Sequence, residues 1–471
     1  GSPLSFAALR NDLRFAGRMF IKSPLFTTVV VLTLAIGIGL NTAVFAAVDA
    51  MLLRPLAGVR DAESLVQLYR TAPGGEQFNS NSIPHYVDLR DRTKGVFSGV
   101  ALWSFQFVNI TADGPPQNVA AQMVSANFFS VLGVNALRGR MFTPDEDVGR
   151  GAHPVAVISY GAWKSLFASD EKVIGRSIPV NGQAMTIVGV APADFGGAMP
   201  MVQPVLWVPL MQLEQIRPGS GSDFENRGNN FNNVIARLAP GVTVAQARAR
   251  LSALLGELRT EYPVEYKDRG INLIRQMDAG IHPMLRGAQV GLSAVVMVVV
   301  GILLIIACVN VANLFLARAR DRAREMAIRI ALGARRSALI RQLLVESLLF
   351  SVVAGVVGLL VAVWAISIAN RIDIPMNIHF SPDLRLSPLV MGFALAVTAL
   401  TGMLFGIMPA LQATRPSLIP ALKGEAPAGE SRSRTSKGLV IAQMALSMVL
   451  LVCAALFLVN LRSATTLDKG F

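Results

Sequence analysis

The stretch from Leu25 to Val48 reads LFTTVVVLTLAIGIGLNTAVFAAV, 24 residues without a charged side chain. A helix needs roughly 20 apolar residues to cross about 30 Å of hydrocarbon, where its own backbone must satisfy every N–H and C=O group. This stretch is long enough to cross, and it lacks the small-residue cleavage site of a signal peptide. It therefore predicts a permanent membrane anchor.

Further uncharged runs of spanning length occur after a long polar interval, and the whole chain is 52% hydrophobic but only 15% charged, with a mean hydropathy of +0.50. That composition is typical of a membrane protein. We predict a membrane α-helical fold: a four-span unit plus a fifth span, with an α+β, two-lobed extracytoplasmic domain inserted after span one. The additional runs are Ala288–Ala317, Ser347–Asn370, Leu386–Thr414 and Gly438–Leu461.

Almost all of the net charge of +13 lies beside these runs. Residues 1–24, 318–342 and 415–437 hold 17 basic side chains and 5 acidic ones. Basic excess on alternate sides of the spans follows the positive-inside rule, so it predicts a multi-pass membrane protein with a cytoplasmic N-terminus, and it argues against nucleic acid as a partner. The predicted segments are a cytoplasmic amphipathic helix 1–24, span one 25–52, a periplasmic domain 53–286, span two 288–317, a cytoplasmic loop 318–346, span three 347–370, span four 386–411, a flexible cytoplasmic linker 412–437 and span five 438–461.

The polar interval contains three of the four tryptophans and most of the turn chemistry, which indicates a folded aqueous domain. Asn181-Gly182 predicts a tight β-hairpin, because both residues readily adopt the positive φ angles of such a turn. Thr243 and Gln246 fit a capping box that begins an amphipathic helix running to about Tyr262. Strands are predicted at 154–159, 177–180, 183–190, 205–210 and 233–238, a short helix at 125–132 ended by Gly133, and a β-rich second lobe at 145–228.

Few residues fit a catalytic or metal site. Ser169 and Lys172 have Ser-x-x-Lys spacing, but they lie in a charged segment without a supporting pattern, so we do not expect a nucleophile there. We interpret the acidic run Asp145–Asp147 as a solvated turn. We predict no catalytic residue, bound cofactor or metal in this chain. The domain's histidines, too widely spaced to predict zinc, are His85, His153 and His282. The polar residues that stand out in the spans, expected to make helix–helix hydrogen bonds, are Asn41, Asn310 and Asn313.

No Gly-Lys pair occurs in these residues, so they lack the phosphate-binding loop that ATP hydrolysis would need. Any ATPase would be a separate polypeptide and would need a cytoplasmic surface to act on. One segment of the loop between spans two and three is helix-prone, mixes apolar residues with charges and ends in a glycine suited to a left-handed cap. We interpret it as a coupling helix; a basic loop that only fixes topology is the alternative. It comprises Arg324, Glu325, Met326, Ala327, Ile328, Arg329, Ile330, Ala331, Leu332 and Gly333.

A set of short stretches along essentially the whole chain resembles the ABC transporter permeases of the MacB/FtsX class. Together they are more specific than any one of them. They are Lys22–Pro24 with Leu32–Gly39, Leu52–Pro55, Val124–Gly133, Gly139–Phe142, the hairpin Asn181–Pro192, Asn310–Leu314, Ala327–Gly333, Gln342–Leu348, Pro409–Leu411 and Ala421–Lys423.

The resemblance implies a function, a location in the bacterial inner membrane and a set of partners. It implies that Arg324–Gly333 contacts a dimeric ABC ATPase, which binds the ATP and Mg²⁺, and that ATP-driven closure rearranges the exterior domains for efflux or mechanotransmission. The further partners it implies are membrane lipids, a second permease half or a homodimer partner, and a periplasmic adaptor or substrate. The alternative is a membrane-anchored regulator or sensor that controls a cell-envelope hydrolase or kinase.

The fifth apolar run departs from the four-span pattern. The macrolide exporter itself carries a fused N-terminal ATPase and ends after span four. Gly438–Leu461 instead resembles the start of the second half in duplicated, acidobacterial-type permeases. In that interpretation the chain stops at Phe471 as a second exterior domain begins.

Overall fold

The computed structural model describes residues 23–72, 74–112, 114–199, 203–280, 282–321, 328, 336–370, 384–413 and 429–466. The predicted N-terminal helix lies outside these ranges except for its last two residues. The coupling segment lies outside them except for Ile328, and so does the linker from residue 414 to residue 428. The helices are α1 Pro24–Val48, α2 Ile83–Arg92, α3 Phe128–Leu132, α4 Tyr160–Ser165, α5 Leu213–Ile216, α6 Val244–Glu261, α7 Gln276–Ala279, α8 Pro283–Asp321, α9 Arg336–Ala369, α10 Pro388–Ala413 and α11 Gly429–Thr466.

Residues 48–291 form one compact unit, built on a single mixed sheet. The strand order is β10-β1-β9-β2-β3-β8-β5-β7-β4, and β6 pairs with β2 and β7. Two pairs, β3 with β8 and β5 with β7, are parallel, and the others are antiparallel. The strands are β1 Leu65–Arg70, β2 Phe97–Ile110, β3 Gln117–Val124, β4 Arg138–Gly139, β5 Val155–Ile158, β6 Ser177–Val180, β7 Gln183–Val190, β8 Leu206–Pro209, β9 Asn233–Leu238 and β10 Ile271–Arg275.

Both faces of this sheet are covered, because successive side chains of its central strands enter different cores. Along β2, Val100 and Leu102 belong to one hydrophobic cluster, whereas Ala101 and Trp103 belong to the other. The first cluster includes the apolar sides of α2 and α6, and the second includes α3. Alternation with a period of two is what separates the two sets.

The predicted hairpin is confirmed. Strands β6 and β7 pair in an antiparallel register from Val180 opposite Gln183, and the turn residues Asn181 and Gly182 have φ angles of 48° and 82°. Asn181 also joins the turn to its neighbours: its side-chain oxygen accepts from the Asn109 N–H at 2.7 Å, and its amide donates to the Ile216 carbonyl at 2.8 Å. The turn residue therefore fixes the hairpin against β2 and α5.

The predicted helix at 244–262 is also confirmed. It begins with the capping box of Thr243 and Gln246 and buries the expected apolar face. The short helix is confirmed at its end, where Gly133 has a φ of 70°, but its predicted start at Ser125 is wrong. The Ser125 hydroxyl accepts from the Leu102 N–H of β2, and the helix begins only at Phe128.

The interpretation of Asp145–Asp147 as a solvated turn is wrong for Glu146 and Asp147, whereas Asp145 is exposed. Glu146 is buried: its carboxylate accepts from the Thr143 N–H at 2.6 Å and from Arg140 at 2.7 Å. Asp147 accepts from the Ala126 N–H at 3.0 Å, and burial raises its pKa. These carboxylates hold the segment after β4 in place.

The division into two lobes stays a prediction. The strands of 145–228, which are β5 to β8, are hydrogen-bonded into the same sheet as the others, and the parallel pair β3–β8 joins them to it.

Within the described residues, four helical segments are long and apolar enough to cross a membrane: Pro24–Leu53, Pro283–Arg318, Ile340–Ala369 and Pro388–Ile407. The first includes a π-helical turn at Asp49–Leu53. The apolar part of α11, Gln443–Leu456, is shorter, so the fifth span stays a prediction. The predicted linker ends earlier than expected, because α11 is already helical from Gly429.

The membrane unit depends on close contact between glycines of α1 and α9. A Cβ atom added to Gly39 would lie 2.7 Å from the Gly358 carbonyl oxygen and 2.9 Å from Val361. In lipid there is no hydrophobic force between helices, so small residues that allow backbones to touch stabilise such pairs. Glycine at position 39 therefore sets the distance between these two spans.

We expect Gly39→Ala to lower the free energy of unfolding by about 1–3 kcal/mol, because the added methyl group has no space. Gly392→Ala on α10 is the matched control, since nothing lies within 4 Å of a Cβ at that position. It should be neutral or slightly stabilising, as alanine is the better helix former. Thermal unfolding of the purified protein in detergent measures both, and equal melting temperatures would contradict this packing.

Candidate transmission site

The predicted coupling helix falls between two described helices. Among its ten residues the structure describes only Ile328, which is helical and exposed. Before the segment, α8 ends at Asp321, and after it α9 begins at Arg336. The structure therefore describes the end of the membrane unit from which this loop emerges.

At that end, four aromatic rings meet, one from each of the four spans. We call Phe26, Phe315, Phe350 and Phe405 the phenylalanine cluster. The Phe315 ring lies 5.4 Å from those of Phe26 and Phe350 and 5.6 Å from that of Phe405. Edge-to-face contacts at such distances stabilise beyond the area that they bury. Phe315 of span two is thus in contact with all three other spans.

The residue that follows this cluster by one helical turn also joins spans one and two. The Arg318 guanidinium lies 4.5 Å from the centre of the Phe26 ring and donates to the Ser23 hydroxyl. A cation above an aromatic face is attracted by the negative charge of the ring face. The last turns of α8, directly before the predicted coupling segment, are therefore attached to the first turn of α1.

Further into the membrane unit, the predicted helix–helix hydrogen bond is confirmed for one asparagine. The Asn41 amide donates to the Val300 carbonyl of α8 and to the Gly37 carbonyl of its own helix, each at 2.8 Å. It is buried, as such a bond in lipid requires. For Asn310 and Asn313 it stays a prediction: the Asn313 side-chain oxygen has no hydrogen-bond partner among the described residues.

Spans three and four are joined by small and hydroxylated residues. The Ser351 hydroxyl donates to the Thr398 carbonyl, and a Cβ on Gly355 would lie 2.6 Å from the Thr398 hydroxyl. Every span of the unit is thus in direct contact with another through a glycine, a polar bond or an aromatic ring. A tightly packed group of this kind shifts as a whole and does not deform locally.

The domain at 48–291 contains a buried polar cluster that the sequence did not predict. We use this name for Arg70, His85, Asp88, Arg227 and Tyr266. The His85 Nδ1 lies 2.7 Å from the Tyr266 hydroxyl, and the Arg227 guanidinium donates to Asp88 at 2.5 Å. The Arg70 guanidinium lies 5.1 Å from the centre of the Tyr266 ring. The cluster attaches α2 to the segments around residues 227 and 266.

The charge balance of this cluster keeps the histidine neutral. Burial, together with the positive charges of Arg70 and Arg227, holds the pKa of His85 well below its ordinary value. Burial also raises the pKa of the Tyr266 hydroxyl. A neutral imidazole beside a neutral phenol has a structural role here. In the described residues, no three His, Cys, Asp or Glu side chains come close enough to hold a metal ion.

We expect the domain to lose stability in mild acid because of His85. A group whose pKa is lowered by folding stabilises fully above its unfolded pKa, here about 6.5, and this stabilisation is lost as the pH falls. Below that pH, the free energy of unfolding should fall by about 1.4 kcal/mol more per pH unit in the wild type than in His85→Gln, whose side chain gains no proton. Urea unfolding followed by tryptophan fluorescence tests this, and parallel pH profiles would exclude it.

For the phenylalanine cluster, we expect Phe315→Ala to lower the free energy of unfolding by about 3 kcal/mol, because three rings lose their common contact. Phe315→Leu should cost less, since it keeps most of the volume. Leu314→Ala, on the exposed side of the same helix, is the control and should have little effect. If Leu314→Ala were as destabilising as Phe315→Ala, the cluster would not hold the spans together.

Two family models match this chain in succession. The MacB-like periplasmic core domain matches residues 27–254, which include span one and the sheet domain as far as α6. The FtsX-like permease C-terminal model matches residues 297–418, which include most of α8 and all of α9 and α10.

Several curated relatives are macrolide export ATP-binding/permease proteins MacB. The protein from Hahella chejuensis is 27% identical over 311 residues, which are 65% of this chain and 43% of that protein. The protein from Chromobacterium violaceum is 24% identical over 431 residues, 90% of this chain and 62% of that protein. The chain therefore spans less than two thirds of the length of these relatives.

Among solved structures, the periplasmic region of MacB from Actinobacillus actinomycetemcomitans matches 46% of this chain and 91% of its own length, with 13% identity and a TM-score of 0.34. A domain of a putative permease protein from Porphyromonas gingivalis matches 48% of this chain and 98% of its own length, with 16% identity and a TM-score of 0.37. The assignment depends on the two family models, which between them match most of the sheet domain and of the four spans. The chain belongs to the MacB/FtsX class of membrane permeases.

Proposed function

We propose that this chain is the permease subunit of an ABC transporter. An ATPase, which we take to be a separate subunit that binds ATP and Mg²⁺, would drive a movement of the four spans. That movement would do its work through the extracytoplasmic domain. The phenylalanine cluster is the observation that carries this proposal, because it joins all four spans beside the loop on which an ATPase would act.

The proposed docking surface is the coupling helix Arg324–Gly333. Support comes from both sides of it in the chain. Arg318 and Phe315 attach the helix before the segment to span one, and Phe350 attaches the helix after it to the same cluster. A push on the segment would therefore act on two helices that are already in contact.

The chain itself offers the route from the membrane unit to the domain. Span one continues without a break through the π-helical turn Asp49–Leu53, whose Asp49 carboxylate pairs with Arg54 at 2.7 Å. Span two is the continuation of a helix that starts at Pro283, before the boundary of the compact unit at 291. Displacement of α1 and α8 would therefore reach both chain connections to the domain.

We propose mechanotransmission, in the service of export, as the mode of action. The apolar runs of the sequence contain no Asp, Glu, Lys, Arg or His, and the side chains of Asn41, Thr42 and Ser351 within the spans bond to helix carbonyls. These features favour spans that transmit movement over spans that line a polar path. The cargo would be handled by the periplasmic domain, with an adaptor or substrate on that side.

A second permease unit is part of the proposal. Only 11% of the apolar window of α8 is buried within the chain, compared with 56% for span one. Most of the apolar surface of α8 is therefore left to contact lipid or a partner. We propose that another permease half or a second copy covers part of this helix. We further propose that the chain lies in the inner membrane with its N-terminus in the cytoplasm.

The double substitution Ile328→Asp plus Ile330→Asp tests the docking surface. Charges in place of apolar residues should abolish co-purification of a co-expressed candidate ATPase with the tagged full-length protein, whereas Ile328→Leu plus Ile330→Leu should retain it. Membrane insertion of each variant is verified by fractionation. Retention of the ATPase by the aspartate variant would move the docking surface elsewhere, and no ATPase on the unmodified protein would favour a membrane-anchored regulator.

A further inference from the structure

One segment of the extracytoplasmic domain lies against the buried polar cluster without belonging to a helix, a strand or a core. We call residues 225–231 the strap. None of its side chains is buried, and its large apolar residue, Phe231, is 60% exposed. The strap is fixed at both ends, because Phe224 packs against the first hydrophobic cluster and Asn232 exchanges two main-chain hydrogen bonds with Asn81. Between these two points, apolar burial contributes little to holding it.

Polar bonds attach the middle of the strap to the buried polar cluster. The Arg70 guanidinium donates to the Arg227 carbonyl at 2.9 Å and to the Asn230 side-chain oxygen at 2.8 Å. The Arg227 guanidinium in turn donates to Asp88 of α2 and to the Tyr266 hydroxyl. The position of the strap therefore depends on the charges of this cluster.

Two further arginines contact the strap from its exposed side. Arg150 pairs with Glu225, and the Arg217 guanidinium lies 5.6 Å from the centre of the Phe231 ring. Exposed contacts of this kind contribute little, about 0–1 kcal/mol for an ion pair, because solvent screens them. They do not replace the attachment to the cluster.

His85 lies one hydrogen bond deeper than the strap. Its Nδ1 is 2.7 Å from the Tyr266 hydroxyl, and its buried Nε2 has no hydrogen-bond partner among the described residues. A proton would give the ring a positive charge and a second N–H group, which both need compensation in a buried site. The charged and titratable groups on the elements around it are Arg70 of β1, Asp88 and Arg92 of α2, Arg227 of the strap, Glu261 of α6, and Tyr262 and Tyr266 after α6.

Of the two arginines that act on His85, the one on the strap is the one that can reach solvent. Arg70 is 1% exposed and is held further by the Glu265 carbonyl. The Arg227 side chain is 14% exposed and belongs to a segment without apolar burial. Asp88 follows His85 by three residues on α2, a spacing that puts both side chains on one side of the helix. A charged imidazole is therefore placed to take over from Arg227 as the partner of Asp88.

We propose that a proton on His85 releases the strap: the imidazolium pairs with Asp88, and Arg227 turns out into solvent together with residues 225–231. The exchange leaves the charge of the buried cluster unchanged, because one cation leaves as another forms. The rest of the domain stays folded, since main-chain ladders and two cores hold its strands. Release uncovers the Tyr262 ring, whose centre lies 3.6 Å from the Arg227 guanidinium. Acid would thus change the surface of the domain that handles cargo in the proposed function.

A fall in pH favours the open strap. In the closed state, burial and the two arginines hold the pKa of His85 well below its ordinary value of 6.5. In the open state, the ring is accessible to solvent and its pKa returns to that value. Opening then takes up one proton, so its equilibrium constant rises about tenfold for each pH unit below about 6.5, and about thirtyfold from about pH 7.5 to about pH 5.0.

Hydrogen–deuterium exchange of the purified full-length protein at these two pH values tests the release, with mass spectrometry as readout and a correction for the intrinsic pH dependence of amide exchange. In the wild type, protection of the strap amides should fall about thirtyfold, whereas protection of β2 should stay the same. His85→Gln gains no proton, so its strap should be equally protected at both pH values. His153→Gln, at a histidine outside the cluster, is the matched control and should behave as the wild type.

Arg227→Gln tests the role of the guanidinium. Without it, the strap should be poorly protected at both pH values. Equal protection of the wild-type strap at the two pH values would overturn the proposal, and so would an equal loss in the strap and in β2, which would mean unfolding of the whole domain. Both results come from the wild type and do not depend on the folding of a variant. Retention of the pH dependence by His85→Gln would also overturn it.

Discussion

The contact of span one with its neighbours is the interaction on which the membrane unit depends. In lipid, helices gain nothing from leaving water, so their association relies on close packing and on the few polar bonds available. Span one has both, because Gly39 lies against the Gly358 carbonyl of span three and Asn41 donates to the Val300 carbonyl of span two. These two contacts bring three helices together, and the phenylalanine cluster then adds the fourth.

A different force holds the extracytoplasmic domain together. There, water drives apolar side chains into cores on both faces of the sheet, and the period of two along each strand divides them between those cores. The buried polar cluster adds specificity where α2 meets the segments around residues 227 and 266. Asp88 compensates the charge of Arg227, and a neutral His85 avoids a further buried charge.

Local patterns of the sequence predicted the local structure well. The Asn181-Gly182 turn, the capping box at Thr243 and the glycine cap at Gly133 are each determined by the conformational preferences of a few neighbouring residues, and all three are present. The predictions that failed concerned residues with distant partners. Ser125 is bonded to β2, and Asp147 accepts from the Ala126 N–H, so neither behaves as its immediate neighbours indicate.

By itself, the sequence determined that this chain spans a membrane, because hydrocarbon thickness and backbone hydrogen bonding constrain composition directly. It also showed where the charge lies and which family the chain resembles. It did not indicate the phenylalanine cluster. Phe26, Phe315, Phe350 and Phe405 are separated by up to hundreds of positions, and each appears as one more apolar residue in an apolar run. Only the tertiary structure decided that they meet, since the relative depth and rotation of packed helices depend on glycine contacts and side-chain shapes that no single helix encodes.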